Sequence, residues 1–236
     1  MAKKKDISPN LDKKELLWGW VYTIFSMLAL PPLLRDGMAL LHISTAGDIG
    51  AARLNFCYFT LNFLVTLFLF HRFLANNLSV VGKRFWDFVE SVILGLVFAF
   101  AGTFLLQYLV GWLKPGLGNL NDQTVASMVY ARKALMLLGT AVFAPVAEEC
   151  IYRGLIFRAL HSKSRFLAYA LSILAFSAVH VLGSIGKLDL ASLLLTAVQY
   201  LPAGAALAWS YERGGSIFTP MVIHAVFNLR SYLALF

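Results

Sequence analysis

Long apolar runs alternate along this chain with short polar connections. A helix crossing a bilayer needs about 20 predominantly apolar residues at 1.5 Å of rise each. Seven runs approach that length, at about 16–34, 52–74, 88–113, 134–160, 166–182, 190–211 and 216–235. The pattern predicts an all-α, polytopic transmembrane bundle of about seven helices, or eight if a re-entrant or short span is hidden among them. The fourth run is longer than a bilayer requires and the fifth is short. Pro31-Pro32, Pro145, Pro202 and Pro220 fall in or near the runs. Membrane helices tolerate such kinks where neighbouring groups satisfy the freed backbone. Pro115 to Lys133 is the one long connection, with room for a short surface helix. Ala203, Gly204, Ala205, Ala206 and Ala208 form a small-residue stretch suited to close helix contact.

Composition agrees. The 236 residues are 59% hydrophobic and 14% charged, and the mean hydropathy is +0.73. Soluble domains are nearer half apolar and a quarter charged. The length suits one bundle, residues 16–236, behind a polar, lysine-rich cytoplasmic tail, residues 1–15. The run after that tail is long for a signal-peptide core and lacks an Ala-x-Ala site, so it reads as a retained span. A formal net charge of +8 would suit a nucleic-acid binder. The placement of the charges argues against that. With the N-terminus in the cytoplasm, inward segments carry roughly twice as many Lys and Arg as outward ones, as the positive-inside rule requires. The partner is therefore the lipid bilayer, with no nucleic acid. Cys57 and Cys150 both lie in apolar runs and suggest neither a disulfide framework nor a zinc-type pairing.

Against this background a few polar residues stand out. Glu148 and Glu149 sit within the fourth run with Arg153 close behind. Each such charge costs roughly 2.5–3.5 kcal/mol at the centre of a membrane helix on insertion scales. His180, His224 and Asn228 follow in later runs. Measured from the hairpin at Ser162-Lys163-Ser164, Glu148 lies roughly 22 Å up one helix and His180 roughly 25 Å up the next. Measured from Gly214-Gly215, His224 lies roughly 15 Å up the last helix, with Asn228 one turn higher. Groups from three helices thus reach comparable depth and can share one cavity. Glu149 and Arg153 are i, i+4 and can pair. Glu148 points about 100° away and is free to face the cavity. His224 and Asn228, also i, i+4, present to one side. Phe176 sits one turn before His180.

This set suits hydrolysis. A carboxylate takes a proton from water, a histidine shares or orients that work, and a His–Asn pair donates to an oxyanion. A metal is the main variant, since Glu148, His180 and His224 could supply the three ligands of a catalytic divalent ion such as zinc. No His-Glu-x-x-His motif demands one. Singly, each residue has an ordinary reading as an ion pair or a packing group, and Asn55, Asn62 and Gln199 are read as packing polar groups. The case rests on co-location.

Glu148-Glu149-x-x-x-Arg153, Phe176-x-x-x-His180 and His224-x-x-x-Asn228 resemble the three motifs of the CPBP family, the CAAX proteases and bacteriocin-processing enzymes also called Abi proteins. They occur in family order on successive runs and cover about the last hundred residues. The resemblance implies an intramembrane endopeptidase with its catalytic part at about 134–236, in a bacterial cell membrane, cutting a membrane-associated peptide that is lipidated or bacteriocin-like. It implies that Glu148 activates water, that His180 assists, and that His224 with Asn228 forms the oxyanion site. Glu149, Arg153 and Phe176 match supporting positions. The family has been labelled metalloprotease, while its glutamate mechanism requires no cofactor. A non-proteolytic bacteriocin-immunity or membrane scaffold protein is the alternative, and a proton-coupled transporter a third reading.

Overall fold

Several helices turn small and polar residues inward and large apolar ones outward, around a core that also buries Phe70, Phe73, Leu155 and Phe157. Helix α1 (Lys13–Leu28) buries Glu15, Gly19, Thr23 and Ser26 while Leu17, Trp18, Ile24 and Leu28 face outward. In lipid the apolar surface has no drive to hide, so helices associate through small residues and polar contacts. The computed structural model describes residues 10–236, and the described residues are helical without strands. After α1 come α2 (Leu30–Leu40), α3 (Gly47–Leu69), α4 (His71–Lys83), α5 (Phe85–Leu113) and α6 (Leu120–Ala131). Then follow α7 (Lys133–His161), α8 (Arg165–Ser184) and α9 (Leu190–Gly214), and finally α10 (Phe218–Leu233).

Helices α3, α5, α7, α8 and α9 are long and apolar enough to cross a membrane. The protein is a multi-pass membrane protein. The first expected span is not one straight helix. It bends by 57° between α1 and α2, where Pro31 and Pro32 open the second helix and cannot donate the backbone bonds that would continue the first. The bent pair counts as a sixth span if it crosses once. The second expected run starts earlier and stops at Leu69; the polar stretch from His71 becomes its own helix. The seventh expected run forms α10, which has 16 residues and a length of about 24 Å, short of a hydrocarbon core of about 30 Å. The long connection does hold a helix, α6. Residues 1–9 of the expected tail lie outside the described residues, and the tail ends earlier than expected. Lys13–Glu15 already belong to α1. Glu15 is buried, accepting from the backbone N–H of Asp12 at 3.0 Å and of Phe73 at 2.8 Å.

Three clamps fix the second half of the chain. Asn77 is fully buried; its side chain accepts from the Ile217 N–H at 2.8 Å, and its carbonyl accepts from Ser216 Oγ at 3.0 Å. These bonds hold the entry to α10 after the left-handed Gly215, whose φ of 72° favours glycine. Glu212 ties α9 back to the α7–α8 hairpin by accepting from Arg165 twice at 2.8 Å and pairing with His161 at 2.8 Å. At the other end Asp189 caps α9. Its carboxyl is held well below the usual carboxylate range by hydrogen bonds from Ser192 and from Lys114.

Helix α5 packs closely against α9. Ser91, Gly95 and Ala99 form its inward stripe, and a methyl group built on Gly102 would stand 2.9 Å from Pro202 Cβ. One built on Gly95 would collide with Ile223 and stand 3.2 Å from Ser210 Cβ. Ile223 is fully buried and precedes His224, so this contact fixes the height and rotation of α10. Gly95→Val should cost about 1–3 kcal/mol through overpacking. Thermal unfolding in detergent micelles checks it, with a lowered midpoint expected.

Candidate active site

Helix α7 carries the two glutamates in a stretch that is not regular α-helix. Wider π-helical turns occupy Gly139–Phe143 and Cys150–Phe157, on either side of a short α segment, Ala144–Glu149. Such bulges are often found at functional sites. Pro145 supplies a physical cause. Ala144 N–H bonds to Gly139 O, five residues back. In that register the next donor would be Pro145, which has no N–H. The carbonyl of Thr140 is left for another partner, and the side-chain Nδ2 of Asn228 donates to it at 2.9 Å.

The adjacent carboxylates have different surroundings. Glu149 is fully buried. Its Oε1 accepts from Arg153 Nη1 at 3.0 Å and from His224 Nδ1 at 2.8 Å. Arg153 is fully buried as well, donating from Nη2 to the Gly204 carbonyl at 2.9 Å, with its guanidinium carbon 5.0 Å from the centre of the Phe176 ring. The i, i+4 pair expected from spacing is present, and it also grips the last helix. Glu148 faces the other way, into a cavity of about 830 Å³, with 26% of its side chain exposed. Its Oε2 makes no hydrogen bond within the protein and stands 4.0 Å from His224 Nε2. His224 therefore spans both carboxylates. A carboxylate can only accept, so the ring nitrogen facing Glu149 carries hydrogen. Nε2 is turned to Glu148 and the cavity.

His180 is oriented in the same sense. Its Nδ1 lies 2.7 Å from the Phe176 carbonyl, which makes Nδ1 the N–H and leaves Nε2 without a proton in the neutral ring. Its ring packs at tilted angles against two others, with centres 4.6 Å from Phe176 and 4.5 Å from Tyr200. Glu148, Phe176, His180, His224 and Asn228 all line the one cavity. Glu149 and Arg153 lie behind its wall.

Several lining groups escaped the sequence reading. Asn62 and Gln199, read as packing residues, both line the cavity. Asn55 does not; it donates to the Ala51 carbonyl at 3.0 Å and contacts Met128 Sδ at 3.3 Å. Tyr58, Tyr152 and Tyr200 had drawn no notice and line the cavity too. A signal existed for Tyr200. Pro202 lacks the N–H that would bond to Val198, so α9 breaks at Gln199 and Tyr200 and turns them into the cavity.

Among the described residues no group of three His, Cys, Asp or Glu side chains is close enough to hold a metal ion. Nδ1 of His224 is committed to Glu149. Cys57 and Cys150 are both free thiols, and Cys150 is fully buried.

Fold and cavity together define a multi-pass helical membrane protein with a buried, charged, partly water-accessible site. Residues 130–230 match the family model described as Rce1-like, Type II CAAX prenyl endopeptidase Rce1-like. Over 147 residues the chain is 30% identical to the Bacillus subtilis (strain 168) protein named "Putative membrane peptidase YdiL". That stretch is 59% of this chain and 56% of the relative, so the chain spans about half the length of the curated protein it matches. No solved structure matches. The segment 130–230, which contains every residue of the three motifs, is thus similar to a CAAX prenyl endopeptidase family model, in line with the resemblance those motifs carry.

Removing one partner from a buried ion pair typically costs about 3–5 kcal/mol, because the other charge is stranded. Glu149→Gln should therefore lower the unfolding midpoint in micelles strongly, and Glu149→Gln/Arg153→Met should recover part of the loss. A midpoint equal to wild type in the single variant would contradict the pairing.

Proposed function

We propose that the protein is an intramembrane endopeptidase that hydrolyses a peptide bond in a membrane-associated, lipidated or bacteriocin-like substrate without a required cofactor. The reading rests on one observation. The free carboxylate of Glu148 lines the same cavity as His180, His224 and Asn228, with Oε2 4.0 Å from His224 Nε2. In the reaction Glu148 takes a proton from water, and the oxygen attacks the scissile carbonyl. His180 Nε2, the ring nitrogen left free by the Phe176 contact, accepts a hydrogen bond from that water and orients it. The carbonyl oxygen becomes an oxyanion and accepts from His224 and from the second N–H of the Asn228 amide. His224 donates from Nε2 as an imidazolium, whose charge Glu149 balances. Glu148 then gives its proton to the departing amine. The products are a new amine and a new carboxylic acid, which passes its remaining proton to the amine or to solvent, and the glutamate is regenerated.

The orientation is part of the proposal, with the N-terminus and the hairpins at Ser162–Ser164 and Gly214–Gly215 on the cytoplasmic side of a bacterial cell membrane, following the excess of Lys and Arg there.

The test compares membranes holding wild-type protein with membranes holding Glu148→Gln, by mass spectrometry of peptide termini. General-base loss should reduce cleavage by about 100-fold or more while the unfolding midpoint stays near wild type, and a chelator should leave wild-type cleavage intact. Identical termini in both membranes would remove the peptidase reading in favour of a scaffold that binds without cutting. Cleavage lost to chelation and restored by zinc would overturn the cofactor-free mechanism.

A further inference from the structure

We propose that Tyr200 is a positioning residue that holds the His180 ring, and that the polar start of α6 holds Tyr200. This rests on the peptidase reading and deepens it, by assigning a role to a surface helix that carries none of the three motifs. Three observations support it.

The first is the hydroxyl of Tyr200. It donates to Asp122 Oδ1 at 3.0 Å and accepts from Asn119 Nδ2 at 2.9 Å and Asn121 Nδ2 at 3.2 Å. A phenol has one hydrogen to give and room for about two to accept. All of that capacity is used. Although Tyr200 lines the cavity, its hydroxyl is not available as an acid, a base or an oxyanion donor. What remains for Tyr200 is the position of its ring.

The second is where that ring lies. Its centre is 4.5 Å from that of His180, with the planes 30° apart, and Phe176 packs against the same imidazole at 4.6 Å. The Phe176 carbonyl fixes Nδ1. One hydrogen bond still allows the ring to swing about that contact. Contact with the Tyr200 and Phe176 rings limits that swing and aims Nε2.

The third is the backbone. The helix break before Pro202 brings Tyr200 out of the α9 barrel, with its N–H bonded to Ala197 O at 3.1 Å in a tight turn. A side chain at a break needs an outside tether to stay fixed, and α6 supplies it. Asn119 serves twice. Its Oδ1 caps α6 by accepting from the Asn121 and Asp122 backbone N–H groups, and its Nδ2 reaches Tyr200.

The experiment uses full-length protein in micelles and two independent readouts. The first is cleavage of a synthetic copy of the peptide whose terminus separates wild-type from Glu148→Gln membranes. Orientation effects of this kind reach about 100-fold for displacements near 1 Å. Tyr200→Phe, which loses only the tether, should lower kcat about tenfold with KM within about twofold. Asp122→Ala should lower kcat in the same direction and add nothing in the Tyr200→Phe background, because both act through one hydrogen bond. Additive effects, or a change confined to KM, would overturn the proposal and make these residues substrate contacts. The second readout needs no substrate. Ring-15N histidine spectra, with His180 assigned by His180→Gln, should show a single Nδ1–H tautomer in wild type and a shifted or broadened His180 signal in Tyr200→Phe. An unchanged His180 signal overturns the positioning role even if no cleaved peptide is ever found. Loss of the peptidase reading alone would leave that spectral change standing.

Discussion

A fully buried ion pair, Glu149 with Arg153, is the constraint on which the site depends. Neither side chain has any exposure. Stranding either charge would cost several kcal/mol in such an interior, so each must be met by geometry as well as by charge. Arg153 reaches the Gly204 carbonyl on α9 and lies over the Phe176 ring on α8. Glu149 reaches His224 on α10. One cluster on α7 therefore sets the rotation of three other helices. It also separates two neighbouring carboxylates, holding one in the wall and leaving the other open to the cavity. If the pair were swapped for apolar residues, the bundle could still pack, but nothing would fix which imidazole nitrogen faces Glu148.

Small residues on the neighbouring helices make room for that cluster. Gly95, Gly102 and Ala99 bring α5 close to α9 and α10, while Phe104, Trp112 and Phe166 lie on the outer surface. The interior is accordingly rich in Ser, Thr, Asn and small residues, and many satisfy themselves locally, as Thr23 does on Gly19 O at 2.8 Å. A cavity of about 830 Å³ can then persist among helices. Polar groups enter it from several helices, with Glu148, His180 and His224 contributed by α7, α8 and α10.

Much of this arrangement was legible in the chain because helical spacing is rigid. The i, i+4 relation of Glu149 and Arg153 predicted their pairing, and the 100° offset predicted that Glu148 would face elsewhere. Depth along successive helices brought His180 and His224 to the same level. What the spacing could not carry is backbone that leaves the regular period. The π turns around Pro145 freed Thr140 O for Asn228, so one of the Asn228 amide hydrogens is already used. The break before Pro202 turned Tyr200 and Gln199 inward, although a regular helix would give them no special place. Pro31 and Pro32 bent the first span for the same reason. Glu149 was read as a partner for Arg153 alone, because its bond to His224 joins residues 75 apart in sequence, a distance over which no periodicity speaks.

The division between the two carboxylates is the central claim, and thiol accessibility tests it most directly. In a Cys57→Ala background, Glu148→Cys would be treated with a small hydrophilic methanethiosulfonate in micelles, with the buried natural Cys150 as the internal standard. The account predicts rapid labelling at position 148 while Cys150 stays unmodified until the protein is denatured. A cysteine at 148 as protected as Cys150 would contradict it.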